Sequence, residues 1–447
     1  MKRRIFSVLF ALLLVLSLAG GGVLPRAAPV EAQGTIINVP ADNATIQIAV
    51  NTASEGDTIL VSANLTDNYT ENVVITTNNL TIRGAGSANT TVEAANPNNP
   101  VFTVSANNTT IEDFTISGAT SSSGVRLDGS SCKIDSDNIS GNQHGIWVTG
   151  TQNRVLRNTI TGNSGYGVRL PGTTEWNEVT YNDVTNNGSC SIYAEPVPGD
   201  PYWMQWAGFN YWGDVSGPGG SGPGTGDGVN QYVWYNPWLN TSFSTILASG
   251  IADISMAIPL EVGWNTLSTP LALANDSNNW NEIVTNSSLT YAQAFVYSPS
   301  SGWGELTTGN TTVLQPLDAV FIKMTSNGMA ILKVSTATNP PPTTTLAAGW
   351  NLIGSSMTIT DRELEMWKVL KSVDQTSTGD TGYIMVVSPP LATQPPWVYV
   401  RGQEGTAGTE WENWEKMDFG RGYWIYMENA DDMAGFGSTP ITARVWD

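Results

Sequence analysis

Arg126, Trp147, Arg169 and Tyr193 hold the same place in four aligned segments: Gly124-Val-Arg-Leu127, Gly145-Ile-Trp-Val148, Gly167-Val-Arg-Leu170 and Ser191-Ile-Tyr-Ala194. Such a column suits carbohydrate. Aromatic faces stack on the apolar faces of sugar rings, and guanidinium groups bond hydroxyls or pair with carboxylates. The column also has a purely structural use, because Arg and aromatic side chains stabilise one another by cation–π contact, about 0.5–1 kcal/mol each when exposed. Both readings stand. The column holds no acid, although Asp128 and Glu195 sit at its edge. Asp135, Asp137, Glu178 and Asp183 fall on other sides of the repeat and do not converge by register. A glycosidase needs two carboxylates about 5–9.5 Å apart. A lyase or epimerase needs a base and a cation at the uronate. No catalytic residue is assigned.

His144 is the single histidine, and its column continues with Tyr166 and Cys190, the pattern of a bulky corner residue rather than a base. One His and two Cys in unrelated columns give no strong copper or zinc site; methionine-only copper binding stays open, although the Met residues do not cluster. Cys132 and Cys190 lie about two and a half repeats apart, or about 12 Å at roughly 4.8 Å per coil. A disulfide spans at most roughly 7 Å between Cα atoms, so two free thiols are expected. Asp214 and Asp227, in a Gly/Pro-rich run, are candidate ligands for Ca²⁺, an ion that takes oxygen donors. The other reading of that run is a Gly-rich loop. No further cofactor is implied.

The elements that must position these residues are short strands. The four segments start 21, 22 and 24 residues apart, and each alternates apolar with other residues, the mark of a strand with one buried face. Within the repeat Ile134, Val155 and Val179 share one column, Ile139, Ile160 and Val184 another, and Asn142, Asn163 and Asn187 a third. A period of this length fits one turn of a β-solenoid, with the apolar columns as interior ladders. Gly141, Gly162 and Asn186 precede the Asn column and tolerate the left-handed backbone of a sharp corner. The fold class is therefore mainly β: a right-handed parallel β-helix followed by two small tandem β-rich modules.

The chain has 447 residues, 13% of them charged, and a formal charge of −20. Lys2-Arg3-Arg4, the apolar run Ile5 to Leu18 and Val30-Glu31-Ala32 read as a secretory signal with its cleavage site. The run is too short for a membrane span. Without residues 1–32 the chain keeps 15 basic and 38 acidic residues, a balance of −23. That opposes nucleic acid and suits a soluble protein outside the cell. Asn-X-Ser/Thr sequons such as Asn43, Asn64 and Asn138 matter only in a glycosylating host.

The opening of the repeat region carries a resemblance. Thr45-Ile-Gln-Ile-Ala-Val, Glu55-Gly-Asp-Thr-Ile, Tyr69-Thr-Glu-Asn-Val and Leu80-Thr-Ile-Arg-Gly-Ala-Gly resemble the first rungs of secreted pectin-lyase-like β-helix proteins. The later Asn-Thr-Ile-Thr-Gly-Asn coils are similar to the repeats of that superfamily and of the periplasmic copper-handling protein of nitrous oxide reductase maturation. The resemblance covers about Thr35 to Leu239 and implies a fold more than an activity. In the coil, Asp42-Asn43 are expected to cap a helix with Ile46, Ala49, Val50 and Ala53 on one face, covering the open end. The aromatics of Tyr232-Val-Trp-Tyr-Asn-Pro-Trp-Leu239 are expected to plug the other end.

Beyond it, Val262-Gly-Trp-Asn-Thr-Leu267 matches Ala348-Gly-Trp-Asn-Leu-Ile353, and Pro316 to Met324 matches Asp418 to Met427. Helices are expected over Asn279–Val284 and Arg362–Val373, the latter with Leu364, Trp367 and Leu370 inward. The pair resembles tandem Gly-Trp-Asn modules of exported surface proteins. Their tryptophans, Trp264, Trp303, Trp350, Trp397, Trp411, Trp414 and Trp424, are read as core, with a sugar platform as the alternative. The divisions expected are a signal peptide (1–32), β-helix (33–240), linker (241–257) and modules over 258–342 and 343–447. The function expected is that of an exported cell-surface or extracellular protein, non-catalytic, structural or glycan-binding. Its partner would be a polysaccharide or cell-envelope glycan, with no nucleic acid and no membrane span in the mature chain. The alternative is a polysaccharide lyase, hydrolase or epimerase acting on the outer face of the β-helix.

Overall fold

The computed structural model describes residues 34–436 except 65–66, 171, 173–175, 200–203, 250–253, 338, 357–362, 375–381, 390–395 and 402–415. The leader read over 1–32, and Trp411 and Trp414, lie outside the described residues.

Alternating apolar residues close the first half into a right-handed parallel β-solenoid of about seven turns. Three parallel sheets of nine, eight and six strands run along it. The apolar columns stack as the period requires. Ile111, Ile134, Val155 and Val179 pair in one register and Ile116, Ile139, Ile160 and Val184 in another, all buried. Burial of such side chains, about 1.5–3 kcal/mol each, is the main force holding coil on coil.

Asparagine ladders fix the corners. The backbone N–H of Asn142 donates to Asn163 Oδ1 at 3.1 Å, and that of Asn163 to Asn187 Oδ1 at 3.2 Å. Gly141, Gly162 and Asn186, just before them, adopt φ of 67°, 66° and 57°. Two further ladders follow other corners, one through Cys132, Asn153 and Asn177, the other through Asp137, Asn158, Asn182 and Asn210.

Helix α1 (Ile46–Thr52) buries Ile46, Ala49 and Val50 over the first coil. Its N-cap is Thr45, not Asp42-Asn43: Thr45 Oγ1 accepts from Ile48 N–H at 3.1 Å, while Asp42 is spent on the backbone of Asn38. At the far end Trp212 and Trp238 are fully buried plugs. The stretch read as a linker contains helix α2 (Phe243–Ser249) and the start of a strand, Ile254–Leu260, that pairs with Trp238–Leu239 and Gly328–Lys333. Asp183 Oδ1 accepts from Phe243 N–H at 2.6 Å, joining α2 to the last coils.

Two four-stranded antiparallel sheets follow, with one strand order: first, fourth, second, third. Gly263 and Gly349 turn with φ of 100° and 94°. Asn265 and Asn351 clamp those turns alike, each accepting from the backbone N–H and donating to the carbonyl four residues back. That leaves the Trp between Gly and Asn pointing outward. Helix α3 (Trp280–Asn286) starts in a capping box made by Asn279 and Glu282. In the second copy the expected single helix is two short ones, α4 (Met366–Val369) and α5 (Lys371–Asp374), after the strand Glu363–Glu365. Met366, Val369, Leu370 and Val373 face inward and Trp367 is exposed. The core reading of the tryptophans fails for three others too, because Trp264, Trp303 and Trp350 are exposed.

Candidate functional site

The eight-stranded sheet brings Arg126, Trp147, Arg169 and Tyr193 into one outward column, in direct register from coil to coil. The guanidinium of Arg126 lies 5.3 Å from the centre of the Trp147 ring and that of Arg169 4.5 Å from it. Trp147 is therefore held between two cations. Each cation also has a carboxylate at the strip's edge. Arg126 Nε donates to Asp128 at 2.9 Å, and Arg169 pairs with Glu195 at 2.8 Å.

A second stack runs beside the strip. The His144 ring lies on Tyr166 with centroids 5.2 Å apart, and Tyr166 on Tyr193 at 4.6 Å. The side-chain stack thus passes from Tyr166 to Tyr193 rather than to Cys190. His144 Nδ1 accepts from Tyr166 N–H at 3.1 Å. Burial, then the charge of Arg169, holds its pKa below the ordinary 6.5. A neutral, stacked imidazole is the corner residue its neighbours suggested.

One of the acids on the nine-stranded sheet, Asp135, meets Glu112, a residue that column reasoning left out. Arg83, Glu112 and Asp135 are neighbours in register. Lys133 Nζ reaches Asp135 at 2.7 Å and Glu112 at 4.0 Å, Arg157 pairs with Asp135, and Arg83 pairs with Glu112. Burial pulls the Asp135 carboxyl up, but its bonds to Arg157 and Lys133 prevail and hold it below 3.8. Asp113, at the adjoining corner, is raised by burial and then by Glu112. Asp137 is also raised, well above 3.8, by burial inside its ladder. Neighbouring carboxyls are thus pushed in opposite directions. Glu178 forms a separate ion pair with Arg154 at 2.9 Å.

The Ca²⁺ candidates each accept protein hydrogen bonds, Asp214 within its own turn and Asp227 from the preceding coil. Asp214 Oδ1 accepts from Ser216 N–H and Oγ at 2.8 and 2.6 Å. Asp227 Oδ2 ends the first Asn ladder, accepting from Asn187 N–H at 2.9 Å and Ser191 Oγ at 2.7 Å. Cys132 and Cys190 are free thiols, as expected. Cys132 is a buried ladder member, and burial pushes the Cys190 thiol up to about 11. Among the described residues no group of three or more His, Cys, Asp or Glu is placed to hold a metal ion.

These coils define a right-handed parallel β-helix. Residues 26–217, fewer than half of the chain, match the family model described as periplasmic copper-binding protein (NosD). Among the described residues the His and Cys side chains do not assemble a copper site: His144 gives Nδ1 to a backbone N–H, and Cys132 and Cys190, whose thiol pKa values burial raises, lie on different parts of the coil. No curated protein matches the chain. Among solved structures it is similar to pectin methylesterase PemA from Erwinia chrysanthemi, with 15% identity, 41% of this chain and 67% of that one covered, and a TM-score of 0.28. It is also similar to the Dettilon tailspike protein, with 11% identity, 63% and 73% coverage and a TM-score of 0.26. Likeness at this level carries no argument about activity. Among the described residues no helix is long and apolar enough to cross a membrane.

Proposed function

We propose that this chain is an exported, non-catalytic β-helix protein that contacts acidic glycan along the outer strip of its eight-stranded sheet. The observation that carries the reading is the Arg126–Trp147–Arg169 sandwich continued by Tyr193. Trp147 pins two guanidinium groups two coils apart, roughly 10 Å along the axis. Such pre-ordered cations meet uronate carboxylates with little loss of side-chain freedom. With guanidinium groups 5.3 and 4.5 Å from the Trp147 ring centre, contact falls on the guanidinium edges and on Tyr193. The carboxylates beside the strip, Asp128 and Glu195, are tied to its arginines. That arrangement supports binding over general acid–base work. Periplasmic location, named in the matched family model, agrees with the leader read in residues 1–32.

Calorimetry with hexagalacturonate tests it. Trp147→Ala unpins both arginines and should weaken binding about fivefold, the effect of roughly 1 kcal/mol. Added salt should weaken it further, since exposed charges are screened beyond about 8–10 Å. Equal affinity in parent and variant, or none in either, would refute the strip.

The second reading, a polysaccharide lyase, hydrolase or epimerase on the same scaffold, is favoured by one observation. Asp135 is held charged while nearby Asp113 is held toward neutrality, the contrast that acid–base pairs use. Turnover of any polysaccharide, with or without Ca²⁺, that disappears in Asp113→Asn would favour this reading over binding alone.

A further inference from the structure

In the C-terminal half the outer faces of the two four-stranded sheets lie against each other. At one end only small side chains meet. A Cβ on Gly422 would come within 2.6 Å of Ala319 Cβ, and one on Gly354 within 2.1 Å of Ser268 Oγ. Thr266 Oγ1 ties the sheets there, accepting from Gly422 N–H at 3.0 Å. Toward the other end the facing positions carry large rings, Trp264, Phe295 and Phe321 on one sheet and Trp350, Trp424 and Tyr426 on the other. The sheets splay into a cleft of about 630 Å³ whose lining includes Trp264, Phe295, Trp303, Phe321, Pro389 and Trp424.

We propose that this cleft binds a chain of neutral pyranose rings. Trp303 remains 53% exposed, Trp264 45% and Trp350 40%, a concentration of apolar surface that marks a binding site on a protein in water. The rings stand at steep angles, 81° between Trp303 and Trp424 and 79° between Trp303 and Phe321. Flat faces are thus offered in more than one direction, which suits the C–H faces of successive sugars. The rings touch one another edge to face instead of surrounding a point, unlike a cage for a quaternary ammonium. Among the described residues no Leu, Ile or Met lines the cleft, as would be needed for an apolar helix. Among them no charged side chain lines it either, although Lys323 stands over Trp264 at the rim, 5.7 Å from the ring centre.

Aromatic grooves also take polyproline, and hydroxyls beside the cleft favour the sugar. Tyr297 and Tyr426 stand beside the lining residues, packed on Trp424 and Trp350, and their phenol groups make no hydrogen bond among the described residues. A phenol both donates and accepts, as a sugar hydroxyl does, whereas polyproline has acceptors alone. The volume lies within the roughly 300–1,000 Å³ of small-molecule sites.

The full chain is titrated by calorimetry with cellohexaose, mannohexaose, xylohexaose and decaproline. Hexagalacturonate serves as the separate probe of the Arg126–Tyr193 strip, so the two sites fail independently. At least one neutral hexasaccharide should bind, with little dependence on salt. Trp303→Ala and Trp264→Ala should each weaken it at least tenfold while melting like the parent, and Trp147→Ala should leave it unchanged. Absence of binding by all three neutral sugars, or an affinity in both cleft variants equal to that of the parent, overturns the proposal. Decaproline bound by the parent and lost in Trp303→Ala, with no neutral sugar bound, overturns it in favour of a peptide groove.

Discussion

Asp137 occupies a place that its own ladder reserves for asparagine, and replacing it by asparagine should stabilise the coil. Its Oδ1 accepts from Phe114 N–H at 2.8 Å and its N–H donates to Asn158 Oδ1 at 2.9 Å, the backbone pattern of every rung below. Its Oδ2 is buried without a partner. At the same place Asn158 Nδ2 donates to the Ile134 carbonyl at 2.9 Å and to Asn182 Oδ1 at 3.0 Å. In register, the amide of Asp137→Asn faces the Ile111 carbonyl and Asn158 Oδ1. A buried polar atom left unpaired costs about 1–3 kcal/mol, and that is the gain expected at pH 7. At roughly 2–4 °C per kcal/mol for a unit of this size, Tm should rise by roughly 2–12 °C.

The gain must depend on pH. Burial holds the folded carboxyl well above its ordinary 3.8. Between 3.8 and the raised value the folded chain keeps a proton that the unfolded chain has released, so the parent loses stability as pH rises. Below 3.8 both states are protonated, and the carboxyl O–H can donate as an amide does. Parent and variant should then converge. Urea melts followed by tryptophan fluorescence at pH 3, 5 and 7 would show this. A variant less stable than the parent at pH 7, or a gain that is the same at every pH, would refute the argument.

Two other outcomes follow from the same coil. Ile160→Asp places an unpaired charge in a fully buried column and should unfold the solenoid, whereas Ser140→Asp, facing outward on the neighbouring coil, should melt like the parent by circular dichroism. Asp183, raised by burial to about 6, should make stability fall as pH rises from about 4 to 6. Asp183→Asn keeps the acceptor for Phe243 and should flatten that slope in urea melts.

The repeat was legible because its apolar columns and the Gly141, Gly162 and Asn186 corner obey rules that depend on local sequence alone. The register of Arg126, Trp147, Arg169 and Tyr193 followed directly from it. The two other Asn ladders were not read, because the left-handed residues before them are Ser131, Gln152 and Trp176 in one case and Ser136, Arg157, Tyr181 and Phe209 in the other. None of these announces a turn, and only the stacking of coils pays for their strain. The Glu112–Asp135 pairing was missed because Glu112 belongs to a coil upstream of the four aligned segments, although the two lie 23 residues apart, as those segments do within a residue or two. A signal was available, since Thr110-Ile-Glu112 and Lys133-Ile-Asp135 share an apolar centre. Thr45 displaced Asp42-Asn43 as the helix cap because its hydroxyl stands immediately before the first turn. The exposed tryptophans were read as core because Gly-Trp-Asn in isolation does not say which face of its strand is covered. That is decided by the second copy.

The closed end of the paired sheets sets the geometry of the open one. Gly422 and Gly354 allow a backbone approach that one added methyl group would forbid. Their strands each run six residues, with Trp350 four residues, roughly 13 Å, from Gly354 and Trp424 two residues, roughly 7 Å, from Gly422. Two rigid plates touching at one edge behave as a pair of jaws, in which an ångström inserted at the joint is carried along the blades to the tips. The gape between Trp264 and Trp350 is therefore written in residues that no ligand would touch. Ligand preference in this chain can drift by exchange of glycine and alanine at the joint while every aromatic ring stays in place.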